Sequence, residues 1–168
     1  MKRVTLAAFA IFTFIAGAPA AGTWCLGLDS LGPIRAGMTV EQVLKLADFS
    51  GMERKQAAEE CWYLRYGRKN EGPAFQLMII GGRVARIELL GVLHTYSGVR
   101  LGTPEDDLAR LYGPRLDVQP HKYDEKGHTI TWRSPDGAHG LRFETSSGKV
   151  TAIQSGPWDH LNYVEGCS

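Results

Sequence analysis

The chain has 168 residues, with 19 Lys and Arg against 18 Asp and Glu, a formal net charge of +1. That balance leaves no electrostatic basis for holding nucleic acid or an anionic membrane surface. The length fits one domain.

Lys2 and Arg3 precede an apolar run from Val4 to Ala16. The run suits the core of a signal peptide and falls short of the roughly 20 residues that span a bilayer. Ala18-Pro19-Ala20 supplies small residues at the exit, so residues 1–20 are expected to be removed between Ala20 and Ala21. Removing the first 20 of 168 residues leaves 148, and the loss of Lys2 and Arg3 takes the net charge from +1 to −1. The expected location is periplasmic or secreted, with no membrane span after cleavage. The cysteines are Cys25, Cys61 and Cys167. An oxidising compartment favours one disulfide with one thiol left over, and the spacing leaves all three pairings open.

Two segments with the same order of signals follow, 21–96 and 97–168. In the first, Thr39 and Gln42 spell a capping box, and Val40, Val43, Leu44 and Ala47 fall on one stripe, predicting a helix of about three turns. Residues 52–60 read as a second helix or a polar loop. Cys61–Tyr66 reads as a strand, and Phe75–Ile87 as a hairpin turning at Gly82. In the second, Thr103 reads as an N-cap, Pro104 as the first helical residue and Asp106 as the acid of the first turn. Leu108 and Leu111 are expected in the core, with Gly113-Pro114 ending the helix. Thr129–Arg133 reads as a strand and Ser134-Pro135-Asp136-Gly137 as a turn. Leu141–Ile153 repeats the hairpin, with Gly148-Lys149-Val150 matching Gly82-Arg83-Val84. The predicted class is α+β, in two tandem repeats. Each repeat is one helix, or two, followed by a three-stranded antiparallel sheet.

The helix openings Ile34-Arg35-Ala36-Gly37-Met38-Thr39 and Val99-Arg100-Leu101-Gly102-Thr103, with a sheet after each, resemble the fold shared by the beta-lactamase inhibitory protein and the BamE outer-membrane lipoprotein. The ending Tyr163-Val164-Glu165-Gly166-Cys167 is similar to that of proteobacterial periplasmic proteins. The resemblance implies a tandem-repeat fold that binds proteins and does not turn over substrates. It also implies a Cys61–Cys167 disulfide that anchors the tail and leaves Cys25 free.

Chemistry-bearing motifs are missing. None of the five histidines is placed four residues from another, and no His-Glu-x-x-His, Cys-x-x-Cys, Gly-x-Ser-x-Gly or phosphate loop occurs. No catalytic residue, metal ligand or cofactor is therefore assigned. Alternation in the hairpins turns Phe75, Leu77, Leu141 and Phe143 inward and Gln76, Met78, Arg142 and Glu144 outward. With Trp132 beside Arg142, and with Tyr123, these outward residues form the expected binding surface. The expected function is a non-enzymatic exported binding protein: an envelope adaptor, or an inhibitor of a secreted enzyme, whose partner is an envelope or secreted protein. The alternative is a carbohydrate-binding protein or small hydrolase using Tyr123, Trp132, Asp124 and Glu144.

Overall fold

The computed structural model describes residues 24–46, 53–56, 60–68 and 72–167. The signal-peptide expectation for residues 1–20 and the helix position Ala47 lie outside them.

The N-terminal part holds β1 (Cys25–Leu26), β2 (Ser30–Leu31), β3 (Ile34–Arg35), α1 (Val40–Leu44) and β4 (Glu53–Gln56). Then come β5 (Cys61–Arg68), β6 (Gly72–Ile80), β7 (Arg83–Leu89), β8 (His94–Thr95) and α2 (Glu105–Tyr112). The chain continues with β9 (Leu116–Pro120), β10 (His128–Arg133), β11 (His139–Ser146), β12 (Lys149–Pro157) and α3 (Trp158–Leu161). One sheet has eight strands in the order β4-β5-β6-β7-β12-β11-β10-β9, and a smaller one has four in the order β3-β2-β1-β8.

This corrects the α+β expectation of two tandem helix-plus-three-strand repeats. The chain is mostly β, its helices are short, and residues 25–95 contribute a separate four-stranded sheet that the helix-plus-three-strand plan does not contain. Residues 53–56, within the stretch read as helix or loop, form β4. α1 carries the capping box, with Thr39 Oγ1 accepting from Gln42 N and Gln42 Oε1 accepting from Thr39 N. It nevertheless spans five residues. Of its described stripe residues only Val43 is buried, and Leu44 is half exposed. A helix stabilised mainly by its packed face does not propagate on one anchor.

α2 buries Leu108, while Leu111 is exposed, against expectation. Pro104 takes the N-cap position, and Thr103 Oγ1 instead accepts from Arg100 N at 3.0 Å. Three acids in the first turn, Glu105, Asp106 and Asp107, suit the positive end of the helix.

Both hairpins have two-residue loops. Gly81 and Gly82 have φ of 55° and 73°, and Ser147 and Gly148 have 49° and 74°. Positive φ at both positions is the turn whose twist matches paired strands. β7 pairs antiparallel with β12, which joins the hairpins into one sheet.

The cross-strand register sorts the eight-stranded sheet into rows. Tyr66, Phe75, Leu89, Ile153, Phe143, Ile130 and Val118 lie opposite one another in sequence across seven strands. Leu64, Leu77, Ile87, Ser155, Leu141, Trp132 and Leu116 form a second row on the same face. That face carries the main core, and Leu26, Leu31 and Ile34 of the small sheet, Val43 of α1 and Leu108 of α2 pack into the same cluster. Between these rows, on the opposite face, runs Arg65, Gln76, Glu88, Gln154, Arg142, Thr131 and Asp117. Every side chain in this row is polar.

The polar face is covered at one end by α3, which packs where the sheet has no side chain. A Cβ on Gly140 would stand 2.7 Å from Trp132 O, 2.9 Å from Trp158 Cε3 and 3.0 Å from Leu161 Cδ2. Gly140→Ala is expected to lose about 1–3 kcal/mol in urea unfolding, the usual range for overpacking. An unchanged midpoint would show that α3 does not sit this close.

Candidate functional site

The polar row begins at Arg65, whose Nε and Nη2 donate to Gln76 Oε1 at 3.2 and 2.7 Å. Gln76 Nε2 donates to Glu88 Oε2 at 2.6 Å. Glu88 Oε1 accepts from Arg86 Nε and Nη2 at 2.8 and 2.5 Å. Arg86 is 2% exposed and Glu88 7%, so this is a buried ion pair in which two guanidinium N–H groups converge on one carboxylate oxygen. Arg86 Nη1 donates onward to the carbonyl of Tyr163 at 2.8 Å. One arginine thus fixes both a sheet carboxylate and the backbone of the C-terminal segment.

That segment, residues 158–167, is a strap across the polar face. Leu161 is buried at its start, and Cys167 forms a disulfide with Cys61 at its end. Cys25 is the free, buried cysteine. Cys167 N donates to Tyr63 Oη at 3.4 Å. Burial, and then the Glu88 charge, push the Tyr63 phenol above its ordinary pKa.

A loop between β9 and β10 meets the strap. Glu165 accepts from Lys122 Nζ and from the Tyr123 hydroxyl. The hydrogen bond from Lys122, then that from Tyr123, holds the Glu165 carboxyl below its usual pKa, and the bond to Glu165, then that to Tyr123, raises the pKa of Lys122. The loop is also tied to the sheet. His121 Nδ1 accepts from Tyr123 N at 3.1 Å, so the ring proton lies on Nε2, 3.4 Å from Glu144 Oε2. Glu144 Oε1 accepts from Arg142 Nη2 at 3.1 Å.

Because its folded pKa is depressed, Glu165 contributes stability above the ordinary carboxylate range, and this is lost as pH falls through the folded value. The protection factor of the Gly166 amide should therefore fall selectively below about pH 4. Equal protection at pH 3 and pH 6 would show that Glu165 does not tether the strap.

The expected binding surface needs correction. Met78 is 0%, Arg142 4% and Gln76 8% exposed, so none offers contact area. Glu144 is partly covered and is engaged by Arg142 and His121. Trp132 lies opposite Leu141 on the helix-bearing face, with its ring 6.0 Å from that of Tyr112, so it is not beside Arg142. The alternation was right about the strands and silent about the strap that buries the outward face. Tyr123 is the exception, at 66% exposure. On the strap, just before the Glu165 that Tyr123 binds, Tyr163 and Val164 are also exposed, at 50% and 44%. Trp132 and Glu144 occupy opposite faces of the sheet, so they share no sugar-binding or hydrolytic site.

Two clusters were absent from the sequence reading. Parallel pairing of β1 with β8 sets Cys25 opposite His94, with Sγ 3.6 Å from Nδ1. His128 Nδ1 lies 2.9 Å from Glu105 Oε1, whose other oxygen accepts from Thr145 Oγ1 at 2.7 Å. Neither contact has a spacing signal, because each depends on register between distant elements. Among the described residues there is no group of three or more His, Cys, Asp or Glu placed to hold a metal ion. No helix among them is long and apolar enough to cross a membrane. No family model matches the chain, and no curated protein matches it.

Proposed function

We propose that the protein is a non-enzymatic binding module of the cell envelope, and that it recognises a protein partner through the junction of the 121–127 loop with the strap. The observation that carries this reading is the exposure of Tyr123, Tyr163 and Val164 on two segments that Glu165 locks together. Tyrosines held on an ordered backbone bury large area at small entropic cost, which is why they dominate binding hot spots. The disulfide supports export, since such bonds persist in oxidising compartments. The charged and apolar start of the chain supports it too, and N-terminal sequencing is expected to find Ala21 first; an intact Met1 would refute cleavage. The Tyr163–Cys167 ending, similar to that of proteobacterial periplasmic proteins, supports the same location.

The test is quantitative capture from envelope extract on immobilised wild type and on Tyr123→Ala/Tyr163→Ala. The double variant leaves the disulfide, the Arg86–Glu88 pair and the core intact. A true partner should be depleted at least tenfold on the double variant, equivalent to about 1.4 kcal/mol. A partner retained equally by both proteins would place the binding surface elsewhere.

A further inference from the structure

We propose that a single buried water completes the polar row beneath the strap, accepting a hydrogen bond from Arg142 Nε and donating one to Gln154 Oε1. Three buried polar atoms of the strap–sheet interface have no hydrogen-bond partner: Arg142 Nε, Gln154 Oε1 and His160 Nδ1. Arg142 and Gln154 are direct cross-strand partners, so their side chains leave the same face about 5 Å apart at Cβ. One offers a donor and the other an acceptor, yet they do not bond to each other. His160 belongs to α3, which packs over β11 and β12, the strands that carry them.

Buried donors and acceptors are almost always satisfied, and leaving a charged group's N–H unmet is costly. Arg142 is 4% exposed, so bulk solvent does not serve it. Turning the Gln154 amide over would present a donor to a donor. A small anion would need a second donor and would meet the Glu88 and Glu144 carboxylates on either side of Gln154 and Arg142. Water matches what the site offers, because it can accept from Arg142 and still donate twice, and buried waters typically make two to four such bonds. The second proton is then available to His160 Nδ1.

The water has a structural consequence. Without it, the row consists of two separate networks. One runs from Arg65 through Gln76 and Glu88 to Arg86 and the strap. The other runs from Arg142 through Glu144 to His121 and the 121–127 loop. Gln154 stands between them, and the water extends the loop-side network to Gln154 and, through His160, to the strap.

The inference is independent of the binding role and is tested on the oxidised full chain. A high-resolution crystal structure, with a bromide-soaked crystal beside it, should show one solvent peak within about 3.2 Å of both Arg142 Nε and Gln154 Oε1, without an anomalous signal. In solution, Arg142 Hε should give a nuclear Overhauser cross-peak to a long-lived water. That cross-peak should disappear in Gln154→Leu, with folding verified by far-UV circular dichroism. A direct Arg142–Gln154 hydrogen bond, an empty position, or an anomalous bromide peak would each overturn the proposal. So would a water cross-peak unchanged in Gln154→Leu. The wild-type measurements stand on their own should the variant fail to fold.

Discussion

Replacing Cys61 and Cys167 together by Ala is expected to destabilise the protein by about 4.7 kcal/mol, the chain-entropy figure for a loop near 100 residues. The two cysteines are 106 residues apart, so the bond restricts most of the described chain in its unfolded state. For a domain of this size the loss corresponds to a fall in melting temperature on the order of 10–20 °C. A local effect should accompany the global one. The bond is the covalent end of the strap, whose other anchors are Leu161, Arg86 and Glu165. Amides of residues 163–167 should lose exchange protection before the sheet does. Thermal unfolding of the oxidised wild type and the double variant checks the first expectation. A difference under about 1 kcal/mol would mean that the loop is already compact when unfolded.

Arg86→Met is expected to cost roughly 3–5 kcal/mol, the range for breaking a buried ion pair by removing one partner. The loss leaves Glu88 charged and 7% exposed, with Gln76 as its remaining hydrogen-bond donor, and it frees the Tyr163 carbonyl. Arg86→Met/Glu88→Met should recover much of the stability, because the uncompensated charge is then gone. The strap should remain loosened in the double variant, since the Arg86 hydrogen bond to its backbone is still missing. Urea unfolding separates the two effects from exchange at the strap. A single-variant loss under 1 kcal/mol, or no recovery in the double variant, would contradict a desolvated pair.

The sequence made the strands and turns legible wherever short-range chemistry decides them. Gly82 and Gly148 marked tight hairpins, and Thr39 with Gln42 marked a helix start that forms as written. Propensity failed where packing decides. The Val40–Ala47 stripe promised three turns, but one buried valine supports five described helical residues. The strands of the small sheet have two residues each, too few for a periodic signal.

The candidate site was legible in fragments. Alternation put Gln76, Arg142 and Glu144 on one face correctly, but it could not reveal that residues 158–167 fold back over that face. A polar outward residue reads the same whether it meets water or a buried partner. Tyr123 survived because it stands on a loop. Tyr163 and Val164 were read as a motif in a tail and not as surface, because their exposure depends on the disulfide and on Arg86.

The central claim is that recognition takes place at the loop–strap junction. Hydroxyl-radical footprinting of the protein, alone and bound to a captured partner, tests it most directly. The account predicts strong protection of Tyr123 and Tyr163 in the complex, with Tyr96 and Leu111, which are also exposed, labelled equally in both states. Protection of Tyr96 and Leu111 with unchanged labelling of Tyr123 and Tyr163 would contradict it.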